Sequence, residues 1–255
     1  MKHCGLIVAA LLAIVCDAAA QGYTWEASPR GPHEIPRTYL GLEAGLSYAV
    51  YPASFDYIEE SIGITCCTFD NGSGLPMSLS LVGTQWLSSR INLSAGLGVS
   101  VFHASFVAPT QPVPLSNGQI LQTEYVLDGS LTYATGFGSV SMRLGPTNLL
   151  ATIGARVHAS IGGALTQRER IVEPTGAEFS GQNPGREVVI AQTFLDHTTP
   201  IVVEPFVQIG YDIALAYGMV IQPSIGFGMP LGSLLTNDDW FMRAIGLRMR
   251  LLKGL

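Results

Sequence analysis

Residues 39–51, YLGLEAGLSYAVY, alternate with a strict period of two, and that alternation constrains the fold more than any other feature of the chain. One set of positions is Leu40, Leu42, Ala44, Leu46, Tyr48 and Val50; the other is Tyr39, Gly41, Glu43, Gly45, Ser47, Ala49 and Tyr51. A period of two is that of a β-strand, whose successive side chains point to opposite faces. On a water-soluble sheet the second face would carry long polar side chains. Here it carries glycine, small residues and one carboxylate, the composition of an enclosed face.

The pattern recurs. INLSAGLGVSVFH (91–103), LLATIGARVHASI (149–161), VVEPFVQIGYDI (202–213), MVIQPSIGFGM (219–229) and FMRAIGLRMRLL (241–252) each set an aliphatic face against a face of small or hydrogen-bonding residues. Two less regular strands, at about 76–87 and 130–143, bring the predicted total to eight. Each is long enough for the roughly 9–11 tilted residues that cross a bilayer. The connections alternate: long (52–75), tight (88–90), long (104–129), tight (around Gly145-Pro146), longest (162–200), short (around Tyr217-Gly218) and a modest loop around Thr236-Asn237-Asp238. Transmembrane barrels have short turns at one end and longer loops at the other. The expectation is an all-β, eight-stranded antiparallel up-and-down transmembrane β-barrel, with the leucine faces on lipid and the small polar faces in a narrow interior. Tyr48, Tyr51, Trp86, Tyr133, Tyr211, Tyr217, Trp240 and Phe241 lie near predicted strand ends, as aromatic girdles would. Pro205 and Pro223 fall inside predicted strands, where a closed barrel has no free edge to absorb a missing N–H.

Composition agrees with dispersed apolarity. Only 13% of the 255 residues are charged and 47% are hydrophobic, with a mean hydropathy of +0.34, yet beyond the N-terminus nothing approaches the roughly 20 unbroken apolar residues of a membrane helix. The one continuous apolar run, MKHCGLIVAALLAIVCDAAAQG, has a basic start at Lys2, an apolar stretch from Gly5 to Val15 and small residues before Gln21. It reads as a cleavable signal peptide over 1–20, followed by a periplasmic segment over 21–36 and the barrel over 37–255. Val15 before Cys16 is too large for a lipoprotein site. The mature chain then keeps Cys66 and Cys67, either a vicinal disulfide in a loop or two thiols. With a net charge of −6 and Lys253 as the only lysine after the signal peptide, there is no basic patch for nucleic acid.

Through these strands, and through phrases such as YLGLEAGLSY, EPFVQIGYDI and IGLRMRLL, the chain resembles the small outer-membrane barrels of the OmpA-barrel and OmpX kind over about residues 37–253. The resemblance implies an exported, non-enzymatic bacterial outer-membrane protein. Its partners would be outer-membrane lipids and lipopolysaccharide, the barrel-assembly machinery during insertion, and an unidentified extracellular ligand at the loops. No peptidoglycan-binding domain follows the barrel, so wall tethering is not implied. MRLLKGL also lacks the terminal aromatic residue common in such last strands.

Parity sends Glu43, Arg156, His158, Glu204, Gln208, Asp212, Arg248 and Arg250 into the interior, where buried charges must find partners. Three acids and three arginines at comparable depths predict an ion-pair network that plugs the barrel. The alternatives are a small-solute channel, and a lipid A-modifying enzyme using a His-x-Ser pair. FHASF places His103 and Ser105 on the lipid side, with Glu124 or Asp128 as candidate acids, and RVHASI places His158 and Ser160 inside. No cofactor motif or metal-ligand spacing appears.

Overall fold

The computed structural model describes residues 37–55, 69–115, 118–145, 147–180, 185–195, 197–215 and 218–255; the signal segment, residues 21–36, Cys66, Cys67 and Tyr217 lie outside the described residues. Eight long strands form the body: β1 (Thr38–Ser54), β2 (Met77–Trp86), β3 (Ile91–Pro109), β4 (Ile120–Arg143), β5 (Leu149–Glu173), β6 (Ile201–Tyr211), β7 (Met219–Gly228) and β8 (Arg243–Gly254). Each pairs antiparallel with the next, and β8 pairs back onto β1 from Tyr39↔Gly254 to Val50↔Arg243. The sheet closes into an eight-stranded barrel with the short turns at one end. Closure satisfies the backbone groups that an open edge would leave bare in lipid.

The aliphatic faces point outward, and Leu97, Leu81 and Ile153 are 73%, 64% and 64% exposed. On β3 the outward apolar run extends from Ile91 to Val101, which at about 3.3 Å per residue and a tilt near 40° covers about 25 Å, the height of a membrane barrel's apolar band.

Above that band the two faces exchange character without any change of parity on β3 and β4. Below Val101 the inward side chains of β3 are Asn92, Ser94 and Ser100; above it they are Phe102, Ala104 and Phe106, all buried, while His103 and Ser105 face out. On β4 the inward residues change from Ser139 and Thr135 to Leu131 and Leu127, and the outward ones from Val140 to Asp128 and Glu124. The exchange falls on one register row, Val101↔Thr132↔Gly162. A strand pair that leaves lipid for water must turn its apolar side inward, so this row marks the rim of the band.

The exchange also corrects the loop expected at 104–129. That stretch continues β3 and β4 beyond the band, and only residues between Pro109 and Ile120 connect them. In the segment expected as the longest loop, β5 runs on to Glu173 and Glu187–Phe194 adds a strand beside it. A bulge between Ser160 and Gly162 shifts the register there, so Leu165 and Gln167 are the buried side chains while Arg168 and Arg170 pair on the outside.

Pro205 and Pro223 lie within β6 and β7. The β6–β7 ladder covers only Phe206–Gly210 and Ser224–Gly228, so each proline immediately precedes one end of it, at opposite ends. Beyond one end, Met229 N donates to the Pro205 carbonyl at 3.3 Å. The prolines are accommodated at interruptions of this ladder, which resumes in the same register beyond Pro223, where Ile213 pairs with Ile221 and Ala214 with Val220.

Candidate functional site

The interior divides into two layers. Across the band it is polar. Glu43, 2% exposed, accepts from Arg250 Nε at 2.5 Å and from Arg248 Nη1 at 3.1 Å. The pairing follows from register, since Glu43 lies opposite Arg250 across β1–β8. On the far wall Arg156, opposite Glu204, donates to it from Nη1 at 2.6 Å, and its guanidinium stacks 3.8 Å over the Phe206 ring. His158 Nε2 donates to the other Glu204 oxygen at 2.8 Å, and its Nδ1 lies 2.9 Å from Thr135 Oγ1, which donates to Ser100 Oγ at 2.9 Å.

Gln208 joins the halves. With its amide oxygen turned inward it accepts from Arg248 Nε at 3.1 Å and Arg156 Nη2 at 2.9 Å. Arg248 also donates to Ser78 on β2, and Arg250 donates to Gln222 on β7 at 3.2 Å. The chain of bonds therefore draws a side chain from every strand of the barrel. Glycines leave it room: a methyl group on Gly228 would overlap Glu204 Oε1, and one on Gly45 would lie 2.9 Å from Arg248 Nη1. A cavity of about 10 Å³ lies beside Arg156, Glu204, Gln208 and Arg248, near the least volume that admits one water.

Asp212 stands apart from the other acids at the short-turn end. It accepts from Arg143 Nη2 at 3.2 Å and from Gln222 Nε2 at 2.8 Å. Arg143 was missed in the sequence because it ends β4, outside any clear alternation. Replacing Arg156 by Ala leaves Glu204 with His158 alone. The expected loss is about 2–3 kcal/mol, the scale of hydrogen bonds to a charged group, and an unchanged melting profile would contradict it.

Above the band the interior is aromatic. Trp240, fully buried, packs edge-on against Tyr51, Phe55 and Phe106 at centroid distances of 5.9, 5.7 and 5.6 Å. Tyr51, Tyr133, Trp86 and Trp240 are thus interior residues and not the girdle expected of them, whereas Tyr48 and Phe241 are outward and exposed. Segment 233–240 carries Trp240 inward. Ser233 Oγ accepts from the backbone of Leu235 and Trp240 and donates to the Asp238 carbonyl, while Thr199 and His197 bond its backbone from beside β6. Gly129 leaves the space that the indole fills.

On the outer wall, Ser105 lies opposite Asp128, and His103 opposite Ser130. Among the described residues no hydrogen bond joins His103 to Ser105 or Asp128. The Asp128 carboxylate is held by Arg168, and that bond raises the arginine's pKa above its ordinary value. Ser160 bonds to Thr198 at 2.7 Å and not to His158. Arg168 also reaches Glu187, and Arg170 pairs with Glu124. These partly exposed pairs contribute about 1 kcal/mol or less each.

No protein-family model and no curated protein matches the sequence. Among solved structures the chain is similar to Neisserial surface protein A (10% identity, TM-score 0.34, covering 84% of this chain and 95% of that one). It is also similar to a deletion mutant of the TodX monoaromatic hydrocarbon channel (8%, 0.25, 88% and 92%) and to the outer membrane protease OmpT from Escherichia coli (8%, 0.27, 84% and 95%).

Proposed function

We propose that this chain is an integral outer-membrane β-barrel protein that holds its β3–β4–β5 extension outside the cell and acts as a structural or surface-interaction protein, with no open pore. The reading is carried by the exchange of polar and apolar faces along one register row. Below it the barrel is built for lipid, and above it for water with a core of its own. Long extensions on a rigid scaffold are where binding tends to reside. Lipopolysaccharide would surround the upper part of the band, and the barrel-assembly machinery would insert the chain. The filled interior favours this reading over a solute channel, and the engagement of Asp128 by Arg168 disfavours a hydrolase on the outer wall. The test is gel mobility of detergent-extracted envelope protein with and without boiling. A boiling-dependent shift in the outer-membrane fraction is expected; recovery in the soluble periplasmic fraction with no shift would contradict the reading.

A further inference from the structure

The short-turn mouth gathers positive charge in a chain whose net charge is −6. Three arginines turn inward there. The Arg37 carbonyl accepts from Trp86 N at 2.8 Å, which sets Arg37 opposite a buried, inward side chain and two residues before the inward Tyr39. Arg90, in the β2–β3 turn, lies opposite Arg143, whose N donates to its carbonyl at 2.7 Å. Arg90 stands two residues before Asn92 and Arg143 two after Ser141, both buried on the inward face.

Of the three, only Arg143 has a counter-charge among the described residues. Its Nη2 donates to Asp212 at 3.2 Å and its guanidinium stacks 4.7 Å over the Trp86 ring, while Gln222 takes up the other Asp212 oxygen. Asp212 is the only acidic side chain of the described residues at this end; the rest lie in the central network or toward the long loops. Arg37 and Arg90 are exposed, and neither side chain makes a hydrogen bond or an ion pair among the described residues. Two strand spacings of about 4.8 Å and two residues of about 3.3 Å separate them, so their Cα atoms stand about 12 Å apart with Trp86 between.

Two guanidinium groups on one rim without a counter-charge call for two negative charges in one ligand. Guanidinium forks match the oxygens of phosphate and carboxylate groups, and a single phosphate monoester carries about −1.5 to −2 near neutral pH. Being inward, the two side chains face the water of the mouth and not the lipid around the wall, so the ligand arrives from solution. We propose that Arg37 and Arg90 form, at the short-turn mouth, a site for one phosphate-type oxyanion. The membrane-barrel reading enters only in placing this mouth on the periplasmic side.

The experiment is calorimetric titration of the detergent-folded protein with sodium phosphate, and with sodium chloride at matched ionic strength. One saturable phosphate per barrel is expected, and no saturable chloride. Arg37→Gln and Arg90→Gln should each weaken phosphate by about fivefold, the upper end for one exposed charge pair. Arg243→Gln, which removes an exposed arginine opposite the outward Val50, should leave binding unchanged. Glycerol 3-phosphate identifies the source: uptake of both compounds supports a site open to phosphate esters, and uptake of phosphate alone a site for the free ion. An equal loss in Arg243→Gln would overturn the proposal, as would binding undiminished by either mouth variant. Binding without saturation would also overturn it, as an adventitious ion only. The boiling-dependent gel shift is followed in parallel. If it persists and phosphate does not bind, the site alone fails; if the unmodified protein lacks it, the barrel reading fails and the mouth with it.

Discussion

Glu43→Ala is expected to lower the stability of the folded barrel by about 3–5 kcal/mol, the loss typical of removing one partner from a buried ion pair. Among the described residues Glu43 is the only acid hydrogen-bonded to both Arg248 and Arg250, and its removal leaves these two guanidinium groups, neighbours on one face of β8, without that carboxylate. Arg250 keeps Gln222 and a long contact to Ser94 Oγ at 3.5 Å, neither of which neutralises it. The measurement is the urea midpoint, read from the unboiled folded band on gels. Adding Arg250→Met to Glu43→Ala should recover part of the loss, because an apolar side chain in place of an unpaired buried charge is neutral or better. A Glu43→Ala midpoint equal to that of the unmodified protein would mean that the network does not hold the wall together.

Trp240→Ala is expected to cost about as much, 3–5 kcal/mol on the scale of large-to-small aromatic replacements, but in the other layer. The indole touches three aromatic rings and fills the space left by Gly129. Its loss opens a void beneath segment 233–240, which Ser233 and the backbone near Thr199 then hold alone. Trp240→Phe should cost much less, since the indole Nε1 has no hydrogen-bond partner among the described residues and packing is what the ring supplies. Protease resistance of the extension, followed beside the urea midpoint, reports the two variants. Equal sensitivity of Trp240→Ala and the unmodified protein would contradict the role given to the aromatic layer.

The barrel's lower half was legible in the sequence because one physical rule governs it: lipid on one side and a cramped interior on the other, repeating every second residue. Leu40 to Val50 and Ile91 to Val99 show that rule directly, and parity alone sends Glu43, Arg156, Glu204 and Arg248 to one enclosure. The upper half was not legible for the same reason. Where β3 and β4 leave the band the rule inverts, and FHASFVA, with Phe102 and Phe106 inward, loses the oily outer face by which the strands were recognised. Two further features had no one-dimensional signal. The bulge at Ser160–Gly162 offsets the alternation by one residue, which puts Arg168 outside. The inward position of Trp240 depends on bonds from Ser233, seven residues away. Pro205 and Pro223 were visible as anomalies, but only the register shows that they sit at interruptions of one ladder.

A network of ion pairs and hydrogen bonds drawing on all eight strands fills the barrel, and single-channel recording tests this most directly. Folded, heat-modifiable protein inserted into planar bilayers is predicted to give no conductance steps, because Glu43, Arg156, Glu204, Gln208, Arg248 and Arg250 bridge the interior from wall to wall. Steady ohmic steps from the same preparation would contradict it and make the interior a passage.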